Sequence, residues 1–272
     1  MGSKSVLAYF EPMYIIAIRF CLATAFMVLI FSKKLKEIKK SDIINGGIVG
    51  VVLFAAFALQ LIGLKYTTAG KQAFLAGTYV VMVPFLFWMF YRKRPDIRAF
   101  LGAFVCFIGI GFLTLNGKLS MSFGDGITLI SSVFFAGHIM VNGHFAKKID
   151  VVILSIVQFG VLAILATVSA LIFEPVPVNV PTSAWISIVY LGIVCSAIAY
   201  FLQTAAQKHT ISTHASIILS LESVFGSVLA VIILGESFTF KMVVGCIAIF
   251  AAILISELRP DEVSELAAAE EV

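Results

Sequence analysis

The chain reads as an all-α, polytopic transmembrane helix bundle, and three observations predict this class. The first is composition. Of 272 residues, 61% are hydrophobic and 12% are charged, whereas a soluble domain is about half apolar and a quarter charged. So much apolar surface does not fit inside one soluble core and must face lipid. The second is the length of the apolar runs, which matches the thickness of a bilayer. The third is the placement of Lys and Arg, which concentrate in alternate gaps between those runs.

A spanning helix needs roughly 20 mostly apolar residues. Nine stretches meet this need: 12–31, 43–63, 72–91, 98–115, 123–143, 151–173, 184–205, 213–234 and 240–257. The gaps are short and hold most of the Lys, Pro and Asn. Spans of this length argue against β-barrel strands, which need about ten residues of alternating polarity. Residues 258–272 are acidic and Ala-rich and read as a solvated tail. Residues 1–10 lack the basic region and apolar core of a cleavable signal peptide.

One alternating set of gaps holds 13 of the 19 basic residues, from the Lys33–Lys40 cluster through Arg92–Arg98, Lys147, Lys148 and Lys208 to Arg259. The positive-inside rule then places the C-terminus in the cytoplasm and the proline-rich loop 174–183 outside. The Lys33–Lys40 cluster reads as an ordinary cytoplasmic loop or as a contact for anionic lipid.

Self-comparison predicts an internal repeat. At a shift of 143 residues Leu59-Gln60 meets Leu202-Gln203, Lys65 meets Lys208, Thr67 meets Thr210 and Gly102 meets Gly245. Upstream the shift becomes 139, pairing Glu11 with Asp150 and Phe20 with Phe159. The second half has five spans and the first has four. Residues 1–10 match only the tail of span 123–143, so the expected parent is five plus five, with the first helix largely missing here. An odd number of spans per repeat forces the halves into opposite orientations, a transporter arrangement whose substrate site lies near the midplane. The expected units are 1–116 and 117–258, followed by a cytoplasmic tail at 259–272.

Several residues carry a family resemblance. Leu221-Glu222-Ser223-Val224-Phe225 is followed by Leu234-Gly235-Glu236 and Gly245. Val83-Pro84-Phe85 is followed by Arg92-Lys93-Arg94-Pro95 and Gly102. Gly124-Asp125 opens one span, and Arg19-Phe20 lies in another. In these the chain resembles the EamA-type transporters of the drug/metabolite transporter superfamily. Ser223 departs from the family's usual proline. The resemblance implies ten helices, a central cavity, and export or uptake of amino acids, related metabolites or drugs.

A charge at the bilayer centre costs at least about 2.5–3.5 kcal/mol on insertion scales, so each intramembrane polar group needs a reason. Glu222 reads equally as a cavity carboxylate for a cation or proton and as a structural partner of a neighbouring helix. Arg19 reads as a structural pair twice as readily as a ligand for a substrate carboxylate. The repeat places Gln158 opposite Arg19. His138 and Asn142, one turn apart, share a face and read as a proton carrier or solute contact, against an interhelical hydrogen bond worth about 1 kcal/mol. Tyr79 and Trp88 read as cavity wall or as packing, with Trp88 the better interfacial belt residue. Gln60 and Gln203 read as pathway mouths or as helix-end polarity. Gly46 and Gly50 have small-x-x-x-small spacing, and Gly77 and Gly226 permit close helix approach. Candidate solute or proton contacts are therefore Arg19, Tyr79, His138, Asn142, Gln158 and Glu222.

No phosphate loop, H-E-x-x-H or G-x-S-x-G motif occurs, and no cofactor or metal is implied. Cys21, Cys106, Cys195 and Cys246 all lie in apolar runs without paired spacing, which argues against disulfides and zinc. The basic clusters follow topology, giving no support for nucleic-acid binding. The expected function is secondary transport of small organic metabolites by alternating access, with export preferred. Proton coupling, uncoupled facilitated diffusion, a membrane enzyme using His138 and Glu222, and a non-transporting sensor subunit are the other readings.

Overall fold

The structure is a computed structural model and describes residues 6–92, 94, 96–114, 122–222, 224–225 and 240–257. Among the described residues every regular element is helical. In chain order these are α1 (Pro12–Ile30), a 3-10 helix (Ser32–Glu37), α2 (Lys40–Lys65), α3 (Ala69–Gly77), α4 (Tyr79–Tyr91), α5 (Ile97–Thr114), α6 (Phe123–Ala146), α7 (Val151–Phe173), α8 (Thr182–Gly192), a π-helix (Ile193–Ile198), α9 (Ala199–Gln207), α10 (Ser212–Leu219) and α11 (Phe240–Glu257). Among the described residues, six stretches are long and apolar enough to cross a membrane: Pro12–Ile30, Lys40–Lys65, Gln72–Tyr91, Phe123–Ala146, Val151–Phe173 and Thr182–Gln207. Large apolar side chains stand on the outside, among them Leu29, Phe173 and Phe240. Lipid is the environment that tolerates such a surface.

Most expected spans become single helices with ends moved by a few residues. Three do not stay regular. The stretch expected at 72–91 is interrupted at Thr78, which separates α3 from α4. The stretch expected at 213–234 is interrupted at Ser220, just after α10. The third, 184–205, is joined through the π-helix. The remainder of span 213–234 past Phe225, the tail at 258–272 and residues 1–5 lie outside the described residues.

Both interruptions are marked by a hydroxyl that binds the carbonyl three residues back, a local bond that competes with helix pairing. Thr78 donates to the Leu75 carbonyl at 2.6 Å, with the Ser132 hydroxyl 2.7 Å away. Ser220 donates to the Ile217 carbonyl and accepts from the Cys106 thiol at 2.8 Å. Pro84, six residues beyond the first break, stays within α4.

Helix seams form where side chains are small. A Cβ on Gly46 would lie 2.8 Å from Val157 Cγ1, and one on Gly50 would lie 2.7 Å from the Gln158 carbonyl oxygen. The Gly46 and Gly50 pair is therefore the seam between α2 and α7, as its spacing predicts. Gly77 packs against Ile110 in the same manner, at 3.1 Å; Gly226 lies outside the described residues. Elsewhere α1 packs on α7, α2 on α6, and α5 on α11.

The helix ends are tied together by charge. At the end carrying the 3-10 helix, Asp150 caps α7 by accepting from Val152 N–H at 2.9 Å and Ile153 N–H at 3.4 Å. Partial burial would raise its pKa, but the Lys34 ammonium 3.2 Å away and these two N–H donors hold it below the usual aspartate range. At the opposite end, Glu174 accepts from the Met13 N–H at 2.9 Å and the Tyr14 N–H at 3.1 Å. It thereby caps α1 across the bundle, supplying acceptors for donors that a helix N-terminus leaves orphaned. Burial pushes its pKa up, against the lowering effect of those two bonds.

Candidate functional site

Among the buried polar side chains of the described residues, two groups hold the residues singled out by the sequence, and they differ in how well they are partnered. The first is a connected network between α6, α7 and α9. His138 donates from Nε2 to Gln158 Oε1 at 3.2 Å. Gln158 Nε2 donates to Thr204 Oγ1 at 3.3 Å. Asn142 Nδ2 donates to Thr204 Oγ1 at 3.3 Å and to Gln207 Oε1 at 2.5 Å. Gln207 Nε2 closes the chain on the Ile139 carbonyl at 3.0 Å. None of the five side-chain residues exceeds 1% exposure. Both glutamine amides have a donor and an acceptor engaged, and the Asn142 amide donates twice, which is what burial of such groups favours.

The second group surrounds Arg19, on α1. Its side chain is only 5% exposed. Nε–H donates to Ser196 Oγ, in the π-helix, at 3.1 Å. The guanidinium carbon lies 5.1 Å from the Phe57 ring centroid and 5.9 Å from that of Phe20, close enough for cation–π attraction of about 1–2 kcal/mol in a desolvated setting. Phe57 in turn meets Tyr200 at 5.6 Å and Phe135 at 5.4 Å. No carboxylate of the described residues forms an ion pair with Arg19.

Glu222 lies just past the interruption at Ser220. Its carboxylate is near enough to act electrostatically on Arg19, Tyr79 and Tyr200, but it does not touch the guanidinium. The residue is exposed. Tyr79 directly follows the other interruption, at Thr78. Tyr79 and Glu222 are separated by the same 143 residues that relate the two halves of the sequence. Thus the predicted residues separate into two sets: Arg19, Tyr79 and Glu222 share one electrostatic neighbourhood, while His138, Asn142 and Gln158 are bonded to one another through Thr204. Tyr200 touches both sets, with its ring 6.0 Å from that of His138.

Sequence reasoning missed Ser196, Tyr200, Thr204 and Gln207. A signal for them exists. Their spacing of four, four and three residues places them on one face of the helix, a polar stripe along an otherwise apolar span. Gln60 and Gln203, noted from the repeat, stand outside both groups, and the Gln60 backbone carbonyl accepts from Gln72 Nε2 at 2.7 Å. Trp88 lies at the helix end, 39% exposed, with the Arg94 guanidinium 4.7 Å from its ring centroid; this suits an interfacial belt residue. A recess of about 580 Å³ at the 3-10 end is lined by Lys36, Glu37, Lys39, Asp42, Lys148 and Asp150. Its charges balance and its walls are solvated, so it lacks the unpartnered buried group that marks Arg19.

A helical membrane bundle enclosing polar groups around interrupted helices defines the class of multi-pass membrane transporters. The comparisons with known proteins agree. The chain belongs to the EamA-like transporter family, whose model matches residues 1–115 and 122–258. An uncharacterized transporter of Archaeoglobus fulgidus is 29% identical over 256 residues, covering 94% of this chain and 80% of the relative. The uncharacterized transporter YyaM of Bacillus subtilis is 26% identical over 268 residues, covering 93% of this chain and 86% of the relative. A crystal structure of another protein superposes with a TM-score of 0.79 at 17% identity, covering 97% of this chain and 92% of that one. That likeness concerns the fold alone.

Proposed function

We propose that this membrane transporter is a secondary carrier that moves small organic metabolites by alternating access, in the direction of export, through the space around Arg19, Tyr79, Tyr200 and Glu222. The observation that carries the reading is the pair of interrupted helices. Breaks at Thr78 and Ser220 lie 142 residues apart, and each is followed within two residues by a polar side chain. Interrupted helices at corresponding places in two halves are the recurrent way that carriers build a midplane site.

The packing supports an inverted repeat of units 1–116 and 117–258. Helix α1 rests on α7, and α5 on α11, so each of these helices meets its own counterpart from the other half. Such self-pairing is expected of elements beside a pseudo-twofold axis. Rocking of one half against the other would then expose the site to each side in turn. For proton coupling Glu222 is favoured over His138, because Glu222 is exposed while His138 is buried. The His138 Nε2–H is already committed to Gln158.

The test is flux. The full chain in sealed vesicles should release a loaded mixture of radiolabelled small metabolites faster than empty vesicles do, with saturation and with acceleration by a solute of the same kind on the far side. Absence of any protein-dependent flux would sink the reading in favour of a sensor or assembly subunit. Flux without saturation or counterflow would point to a pore.

A further inference from the structure

A guanidinium presents two different hydrogen-bonding faces. One is the side face, formed by Nε and one terminal nitrogen; the other is the end face, formed by both terminal nitrogens. In Arg19 the Nε–H is occupied by Ser196 Oγ at 3.1 Å. Ser196 can accept that bond because its own proton goes elsewhere: its hydroxyl donates to the Leu191 carbonyl, five residues back, at 2.9 Å. The reach of five residues is available because the chain runs as a π-helix from Ile193 to Ile198, and such insertions cluster at functional sites. Ser196 is fully buried and engaged on both sides, so its lone pair has a fixed direction.

The backbone on either side is held as well. A Cβ at Gly192 would lie 3.1 Å from the Arg19 carbonyl oxygen and 3.1 Å from Leu22 Cβ. Helices α1 and α8 therefore meet at the level of Arg19, and the π-helix starts directly after this contact. Phe57 supports the guanidinium 5.1 Å away. What remains is the end face. Its N–H groups have no acceptor among the described residues in a side chain 5% exposed. A buried cation left in this condition is costly unless something pairs with it.

We infer that the end face of Arg19 is a carboxylate-binding subsite, and that Ser196 is the positioning residue that turns this face toward the solute. The inference rests on the transport reading and adds the chemistry recognised. Two parallel N–H groups match the two oxygens of a carboxylate. A phosphate dianion fits less well, since one guanidinium neutralises one charge and the nearby Glu222 carboxylate adds negative potential. The aromatic surface of Phe57 and Tyr200 suits an apolar body attached to the carboxylate.

The experiment uses the detergent-purified full chain and three small acids, acetate, isobutyrate and benzoate, each beside its neutral amide. Thermal unfolding midpoints are read against ligand concentration, since a ligand that binds the folded state raises them by mass action. At least one acid should stabilise the wild type, with its amide ineffective at equal concentration. Ser196→Ala should weaken that acid's apparent affinity severalfold, read against the variant's own ligand-free midpoint, which falls because the buried Arg19 Nε–H loses its acceptor. Ser196→Thr, which keeps the hydroxyl, should restore the affinity. Arg19→Lys keeps the charge but loses the fork, and should weaken binding by about tenfold, or about 1.4 kcal/mol. Equal responses to acid and amide, or no response to any of the three acids, would overturn the subsite. Acid binding unaltered in Ser196→Ala would overturn the positioning role. The readout is independent of flux: carboxylate-specific binding without transport would fault the transport reading and leave the subsite standing.

Discussion

The polar network on α6, α7 and α9 and the charged group around Arg19 occupy neighbouring parts of one bundle, yet they obey opposite rules. In the network, His138, Gln158, Thr204, Asn142 and Gln207 satisfy one another and exclude water. Around Arg19, a cation and a carboxylate lie within electrostatic reach of each other but remain unjoined, and one of them is open. Satisfied polar groups hold helices in register, where the alternative is an unpaired amide in hydrocarbon. Unsatisfied ones store an interaction that a solute can complete. Polarity within a membrane helix therefore says little about function until its partners are known.

The comparison breaks first at the seam that presents Gln158. A side chain at Gly50 has no room, because a Cβ there would meet the Gln158 carbonyl oxygen at 2.7 Å. Gly50→Leu should destabilise the bundle by at least about 3 kcal/mol, seen as a large fall in the thermal midpoint in detergent. A midpoint close to wild type would mean that α2 and α7 are not locked together as described.

A contrasted pair sharpens the distinction. Glu222→Gln should cut flux of the solute detected in vesicles by tenfold or more, about 1.4 kcal/mol in barrier, with an unchanged unfolding midpoint. Gln158→Leu should do the reverse. It strands the His138 donor and the Thr204 acceptor, and should lower stability by about 1–2 kcal/mol while flux per folded molecule is retained. If the two phenotypes are exchanged, the roles assigned to the two groups are exchanged with them.

The smallest effect is expected from Thr204→Val, which keeps the shape and removes the hydroxyl shared by Gln158 and Asn142. Double-mutant measurements on such membrane hydrogen bonds average about 0.6 kcal/mol, so a loss of no more than about 1 kcal/mol is expected. A drop comparable with that of Gly50→Leu would show the network to be cooperative rather than a sum of pairs.

Part of this site was legible in the chain itself. A lone arginine and a lone glutamate inside apolar spans stand out because each carries a cost that needs a reason, and both lie in the same electrostatic neighbourhood. His138, Asn142 and Gln158 stood out by the same logic, yet their partners Thr204 and Gln207 come from a helix far along the sequence. Thr204 was passed over because a hydroxyl in a membrane helix can bond its own backbone, as Thr204 also does with the Tyr200 carbonyl at 2.8 Å. Its spacing from Ser196, Tyr200 and Gln207 places it on a polar face, but spacing does not name the partners that meet that face. The interruptions were only partly signalled: Gly77 ends α3 just before Thr78, but no such residue precedes Ser220. Neither Thr78 nor Ser220 is a proline or glycine, and Pro84, the residue most expected to break a helix, sits within an intact one.

By itself the sequence determined the helical membrane class, the approximate spans, the glycine seam and the family, since all of these follow from local composition, spacing and motif. Only the tertiary structure decided which polar groups were spent on each other and which were left for a ligand. Hydrogen-bond satisfaction is a property of pairs, and the pairs here join residues up to 177 positions apart, as Arg19 and Ser196 are. Periodicity along one helix reports which face is polar. It does not report what the neighbouring helix brings to meet that face, and that meeting separates the buried network from the open charges around Arg19.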